Sequence, residues 1–367
     1  MIINFDNDEN VILGFLSSRE KEVFSDKVFP EFKSHVFIKT SGSTSSPKWV
    51  ALSKHAILNS AEIVNKHIES SLRDSWFTVL PNNHMAGLAV YARAYLQNVK
   101  VQSYVGDRWQ PHEFVKQLKN TQATLTSLVP TQVYDLVNQN LAAPESLRVV
   151  FVGGGHLSEK LYLKARVLKW PILPTYGMTE CCSQIATAPL NSLKKMDLPE
   201  LEVLPHCELN IDDNQRLIIH STALYTAYIN NENSDYNVIK RINDYFLSED
   251  SVEILEKNNK TYLNILGRVS QLLKVSGILV NEYDLNKKWQ SHSSGFLVLV
   301  PDERKGYTVV LVIEQVIDNE IKSQVNNFNK GLKKQEKVSA IYSISKIPLN
   351  SMSKLNKNEL LKTLGFI

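Results

Sequence analysis

The sequence predicts an α/β fold joined to an α+β part. The expectation is a large N-terminal domain of parallel-type sheets carrying a β-rich subdomain, then a small mobile C-terminal α+β domain. Three observations predict this. From about residue 35 to residue 177, apolar strand-like runs alternate with helix-like segments, the pattern of a mostly parallel sheet with helices on its faces. After about Pro205 the texture changes to paired apolar runs around polar turns. Beyond Gly267-Arg268 a third texture of strand, strand, helix and strand begins. The expected domains are therefore 1–267 and 268–367.

The elements follow in order. His35-Val36-Phe37-Ile38 reads as a strand, then a Ser/Thr/Gly loop, then a helix from about Lys54 to His67. Residues 76–80 are a short apolar run before Pro81; residues 88–97 read as helix and 99–105 as strand. Pro111 opens a helix to Lys119, its fixed φ suiting the first turn. Residues 124–129 form a strand and 131–138 a helix; residues 147–152 form a strand running into Gly153-Gly154-Gly155. Ser158 caps a helix reaching Lys169, with Glu159 in its first turn. Asp212-Asp213-Asn214-Gln215 and Lys257-Asn258-Asn259-Lys260 each sit between strand-like runs, as hairpin turns do. The last part has strands at 295–300, 307–314 and 338–345, with a helix over 319–335.

The bulk properties exclude several classes. A net charge of +3 over 367 residues is too mild for nucleic acid or an acidic membrane surface. No apolar run approaches the ~20 residues of a membrane span, and residues 1–10 lack a charged-then-apolar leader pattern. Three cysteines, two of them adjacent (Cys181-Cys182), fit a reducing compartment and packing roles. The expectation is a cytoplasmic protein with small-molecule partners, no nucleic acid and no membrane; a homo-oligomer is left open.

Five segments offer chemistry. Tyr176-Gly177-Met178-Thr179-Glu180 follows an apolar run. A strand ending there points a hydroxyl and a carboxylate out of its C-terminal edge, where open α/β sheets bind ligands. Glu180 suits Mg²⁺ beside a nucleotide phosphate, because Mg²⁺ takes one or two carboxylates plus phosphate oxygens. Read alone, the same residues also fit a helix start capped by Thr. The loop Thr40-Ser41-Gly42-Ser43-Thr44-Ser45-Ser46-Pro47-Lys48 is rich in small donors that let backbone approach a polyanion; a solvated turn fits it equally. Gly153 to Gly155 permit close approach of a flat base, or form a plain turn. Asp250 and Arg268 bracket a hairpin and suit a sugar's hydroxyls, or are surface charges. Lys354 lies in a polar loop near the C-terminus and matters if the small domain closes over a site.

Taken in order, these segments, with Pro81-Asn82-Asn83-His84, resemble the adenylate-forming acyl-CoA synthetases, relatives of adenylation domains and luciferases. The resemblance spans about residues 36 to 360. Within that family, residues 176–187, including Cys182-Ser183-Gln184, are similar to the o-succinylbenzoate–CoA ligases of menaquinone biosynthesis, as is His84 with Arg93 nine residues on.

The resemblance implies ATP, Mg²⁺ and CoA as cofactors and a small carboxylic acid as substrate. It implies that Thr40, Ser41, Gly42, Ser43, Thr44 and Lys48 cradle phosphates. Thr179 would touch the α-phosphate and Glu180 hold the metal. Gly153, Gly154, Gly155, Thr175, Tyr176, Gly177 and Met178 would wall the nucleotide, and Asp250 and Arg268 would bind ribose. His84, Arg93 and Ser183 would face the acid, His84 also counting among the catalytic residues. Lys354 would bridge carboxylate and α-phosphate, and Ser270 would be the hinge. His84 also reads as a packed aromatic gate, and Arg93 as a surface helix residue. The alternatives are a ligase for another aromatic or fatty acid, one that loads a carrier protein, or a non-catalytic nucleotide binder. Departures from the family are Ser45 and Trp49 in place of glycines, Ser248-Glu249 in place of Thr-Gly, Ser270 at the hinge, and a shorter region before the phosphate loop.

Overall fold

The structure, a computed structural model, describes residues 3–366 except 41–47, 233–234, 270–271, 277, 291–293 and 350–354. Ser41, Gly42, Ser43, Thr44, Ser45, Ser270 and Lys354 therefore lie outside the described residues. The chain forms two compact units. The first comprises Met1–Asn210, Ile218–Leu247 and Ile254–Leu263; the second comprises Ile211–Leu217, Ser248–Glu253 and Asn264–Ile367.

The first unit is built on a sheet whose central strands run Ile172–Met178, Val149–Val152, Leu125–Leu128, Trp76–Thr78, Val101–Ser103 in space, all parallel. Period-2 alternation explains its two covered faces. Val150 and Val152 join Phe77 and Ile172 in a core with Phe114, Leu118, Val133, Leu136 and Tyr162 of the helices Pro111–Thr121, Pro130–Asn138 and Glu159–Val167. Val149 and Phe151 face the other way, meeting Val64 of helix Lys54–His67 and Val90 and Ala94 of helix Met85–Gln97. Ser158 caps the Glu159–Val167 helix as expected, accepting from Leu161 N.

The expectation that His35 starts the parallel alternation is corrected. His35–Thr40 pairs antiparallel with Lys48–Ser53 and lies in a separate five-stranded sheet with Val11–Leu13, Ala227–Glu232 and Asp235–Lys240. The hidden strand is the run Trp49-Val50-Ala51-Leu52, buried on both faces, and an unbroken apolar run carries no strand period. Trp49, standing where the family has Gly, fills an aromatic core beside Phe24, with ring centroids 5.3 Å apart. The Cys181 and Cys182 thiols are free and buried.

In the second unit Gly306–Ile313 is the central strand, flanked by Phe296–Asp302 (antiparallel) and Val338–Ser343 (parallel). The helix expected over 319–335 stops at Lys330, with Gly331 as its C-cap. Leu349 bridges Leu355, and Asn356 N donates to Pro348 O at 2.8 Å.

Candidate active site

Because the five central strands are parallel, their C-terminal ends share one edge of the first unit. The chain runs from Trp76–Thr78 outward to Val101–Ser103, then crosses back to Leu125–Leu128 on the other side. This change of direction is the kind of switch point at which open α/β sheets bind ligands. The segments that follow the strand ends carry Pro81 to His84, Gly153 to Gly155, and Thr179-Glu180. Sequence reasoning found all of these, since each lies directly after an apolar run.

Ile172–Met178 runs into a single 3₁₀ turn, Thr179–Cys181, and returns antiparallel as Ser183–Thr187. The pairing slips between Tyr176 and Gly177. A Cβ at Gly177 would lie 1.7 Å from Ser183 O, so only glycine fits there. Cys182 and Ser183 both take positive φ, at 49° and 105°, so backbone strain is concentrated directly after Glu180. The Thr-capped helix alternative for this segment is overturned: Thr179 begins one 3₁₀ turn that reverses into a strand. The Thr175 hydroxyl is spent inside the sheet, on Ala186 O at 3.0 Å and Thr187 Oγ1 at 2.9 Å.

Lys48 pairs with Thr40, whose Oγ1 donates to Lys48 O at 3.2 Å, forming a closed neck. Tyr228 links this neck to the Glu turn. Its hydroxyl donates to Glu180 Oε1 at 3.0 Å, and Lys48 Nζ sits 3.6 Å from its ring centroid. Burial pulls the Lys48 ammonium below its ordinary pKa, with the Glu180 charge opposing. Burial, reinforced by the Glu180 charge, pushes the Tyr228 phenol upward, so it stays a donor. Glu180 is half-buried, with Oε2 remaining for a cation. Among the described residues no three His, Cys, Asp or Glu side chains cluster as a metal site. The Glu180 carboxylate, with one oxygen taken by Tyr228, fits an ion that takes one carboxylate and completes its shell with phosphate and water, as Mg²⁺ does.

Arg93 is not a surface residue. It is 2% exposed on helix Met85–Gln97, its guanidinium over the rings of Phe151 (5.1 Å) and Trp76 (5.8 Å). Nη2 reaches Ser183 Oγ at 3.4 Å, Nε–H has no partner, and no carboxylate pairs with it among the described residues. Burial drives its pKa down. His84 is the N-cap residue of the same helix and is half-buried, which lowers its imidazole pKa.

Tyr228 escaped sequence reasoning, as did Trp76 and Phe151 under Arg93. They read as ordinary strand aromatics, and only the cross-strand register brings Tyr228 to Lys48.

In the second unit Arg268 Nε lies 3.2 Å from Asp250 Oδ1, with Asp250 the more buried partner. Ser248 Oγ accepts from Asp250 N at 3.0 Å, and Glu249 faces Arg216 at 3.7 Å. The Ser-Glu departure therefore keeps a hydroxyl that orders the Asp250 turn.

A parallel sheet whose Ile172–Met178 strand runs into a Thr-Glu turn is an open α/β architecture of the kind that binds ligands at its C-terminal edge. The profile of the AMP-binding enzymes matches residues 18–220, more than half of the chain, and the chain belongs to that family. It is 26% identical over 326 residues to the 2-succinylbenzoate–CoA ligase of Staphylococcus epidermidis, covering 87% of this chain and 68% of that one. Among solved structures it is similar to the o-succinylbenzoate CoA synthetase of Bacillus subtilis in complex with the acyl-adenylate OSB-AMP (TM-score 0.74, 23% identity, 89% of this chain and 68% of that one). It is also similar to the anthranilate CoA ligase AuaEII in complex with anthranoyl-AMP (TM-score 0.74, 15% identity, 89% and 67%). The chain spans about two thirds of the length of these relatives. Among the described residues no helix is long and apolar enough to cross a membrane.

Proposed function

We propose that this chain is an acid–thiol ligase that activates o-succinylbenzoate as its acyl-adenylate and passes it to CoA, a step of menaquinone biosynthesis. The observation that carries the substrate is Arg93. A buried guanidinium without an anion is costly, and stacking on two rings offsets only part of that. A second carboxylate on the substrate would supply the missing partner, with Ser183 Oγ beside it. Monocarboxylic aromatic acids leave Arg93 unmet.

In the first half-reaction a carboxylate oxygen of the acid attacks the α-phosphorus of ATP. The new O–P bond forms as the bond to pyrophosphate breaks. In the second, the CoA sulfur attacks the adenylate carbonyl, and AMP leaves as the thiol proton is lost. The work of the protein is charge neutralisation and alignment. Lys48 and Thr179 contribute donors at the phosphates, and Glu180 would hold Mg²⁺, which when bound neutralises phosphate charge. Asp250 and Arg268 are the proposed ribose ligands. His84 is the proposed contact to the acid. Residues 268–367 are proposed to act as a lid domain, with Ser270 as hinge and Lys354 as the cation that bridges carboxylate and α-phosphate. Cytoplasmic location follows from the CoA and ATP it would consume.

The test is incubation with ATP, Mg²⁺, CoA and o-succinylbenzoate, with mass detection of the thioester and AMP. Turnover of another aromatic or fatty acid without any thioester from o-succinylbenzoate sinks the substrate assignment. Unchanged adenylate formation by Lys354→Ala removes the role given to that residue.

A further inference from the structure

Tyr228 has no part in the chemistry above, yet it touches both charged groups of the phosphate–metal end. We propose that Tyr228 is a positioning residue for ATP·Mg²⁺: its hydroxyl fixes the Glu180 carboxylate and its ring face carries the Lys48 ammonium, so that one side chain sets the metal ligand and the phosphate cation together. The inference rests on the reading of this edge as an ATP–Mg²⁺ site.

The register builds the arrangement. Tyr228 lies opposite Val50 in the Ala227–Glu232/Lys48–Ser53 pair. Lys48 is two residues before Val50, hence on the same face of the sheet, and diagonal neighbours on one face lie within reach of long side chains. The ammonium thus rests over the phenol ring, 3.6 Å from its centroid, within the range of a cation–π contact. The turn bearing Glu180 is held to the same segment by its backbone, since Tyr225 N donates to Glu180 O at 2.8 Å. Tyr225 also packs against Tyr228, with centroids 4.5 Å apart, which limits rotation of the phenol. With Glu180 Oε1 occupied by the Tyr228 hydroxyl at 3.0 Å, Oε2 is left for a hard cation. Tyr228 also stands between the Lys48 and Glu180 charges, a placement that keeps both available to ATP·Mg²⁺.

The hydroxyl and the ring separate experimentally. ATP binding to the full chain is measured by calorimetry with Mg²⁺ and with EDTA, alongside the thermal midpoint. For Tyr228→Phe, the Mg²⁺-dependent gain in ATP affinity is expected to fall about ten-fold, the size of one hydrogen bond to a charged group. Affinity without metal is expected to stay at the wild-type value, because the ring remains beneath Lys48. For Tyr228→Leu both affinities are expected to weaken. In a Glu180→Gln background Tyr228→Phe is expected to add nothing, since the two act as one unit. An unchanged Mg²⁺ gain in Tyr228→Phe, equal losses with and without metal, or a Tyr228→Phe protein that does not fold each overturn the proposal. Wild-type protein whose ATP affinity ignores Mg²⁺ overturns the underlying site reading as well, and so distinguishes the two failures.

Discussion

Arg93 is buried over the Trp76 and Phe151 rings with one N–H unmet, so its charge carries a cost that a bound anion would offset. Replacing a buried unpaired charge with an apolar side chain of similar volume is often neutral or stabilising. Arg93→Met is therefore expected to keep or raise the thermal midpoint while raising KM for o-succinylbenzoate by about 10- to 100-fold, the size of a charge-assisted bond. KM for ATP should hardly move. A destabilised variant with unchanged KM would mark Arg93 as structural. His206 is the second residue with a defined consequence. It is 7% exposed, both ring nitrogens lack a hydrogen-bond partner among the described residues, and burial lowers its imidazole from 6.5 to about 4. The folded state thus prefers the neutral ring. That stability is complete above pH 6.5 and is lost as pH falls through about 4. By pH 4.5 the loss is on the order of 2 kcal/mol, and His206→Leu should flatten that part of a urea-midpoint profile. A profile with the same slope in the variant would contradict it.

At the scale of elements, Gly177 is the hinge point of the Thr179-Glu180 turn. A Cβ there meets Ser183 O at 1.7 Å, so Gly177→Ala must break the bulge that sends the chain back as Ser183–Thr187. The expected loss is more than about 3 kcal/mol in denaturant unfolding, with adenylation lost at temperatures where the protein stays folded. Normal adenylation by Gly177→Ala would show that the turn tolerates a different register. The parallel sheet was legible because most of its strands are short apolar runs with a turn residue within a few positions, as Gly153 after Val149–Val152, Pro130 after Leu125–Leu128 and Pro81 after Trp76–Thr78, and the helices between them carry caps such as Ser158. The neighbouring sheet was not. Lys48–Ser53 is apolar throughout its middle and abuts a helix, and Val11–Leu13 is only three residues long. Lys48, Thr179 and Glu180, the charged end of the proposed site, stood out as candidates because small or polar residues there interrupt apolar runs. Tyr228 was not, because cross-strand register cannot be read from one strand.

For the whole molecule, membership of the AMP-binding enzyme family sets the class of chemistry, and the first unit alone holds the buried Arg93 and the Tyr228-linked Lys48 and Glu180. The departures at Trp49, Ser248 and Glu249 are absorbed locally, by an aromatic core, a turn-ordering hydroxyl and a contact with Arg216. None of them removes a charged side chain that the proposed activation uses. The acid that this chain activates is proposed to carry a second carboxylate for Arg93. Pyrophosphate exchange into ATP, measured with o-succinylbenzoate, benzoate, anthranilate and a fatty acid in parallel, tests it most directly. Mg²⁺-dependent exchange with o-succinylbenzoate is expected far above the monocarboxylic acids, with that preference collapsing in Arg93→Met. Equal or faster exchange with a monocarboxylic acid, or a preference that survives in Arg93→Met, would contradict it.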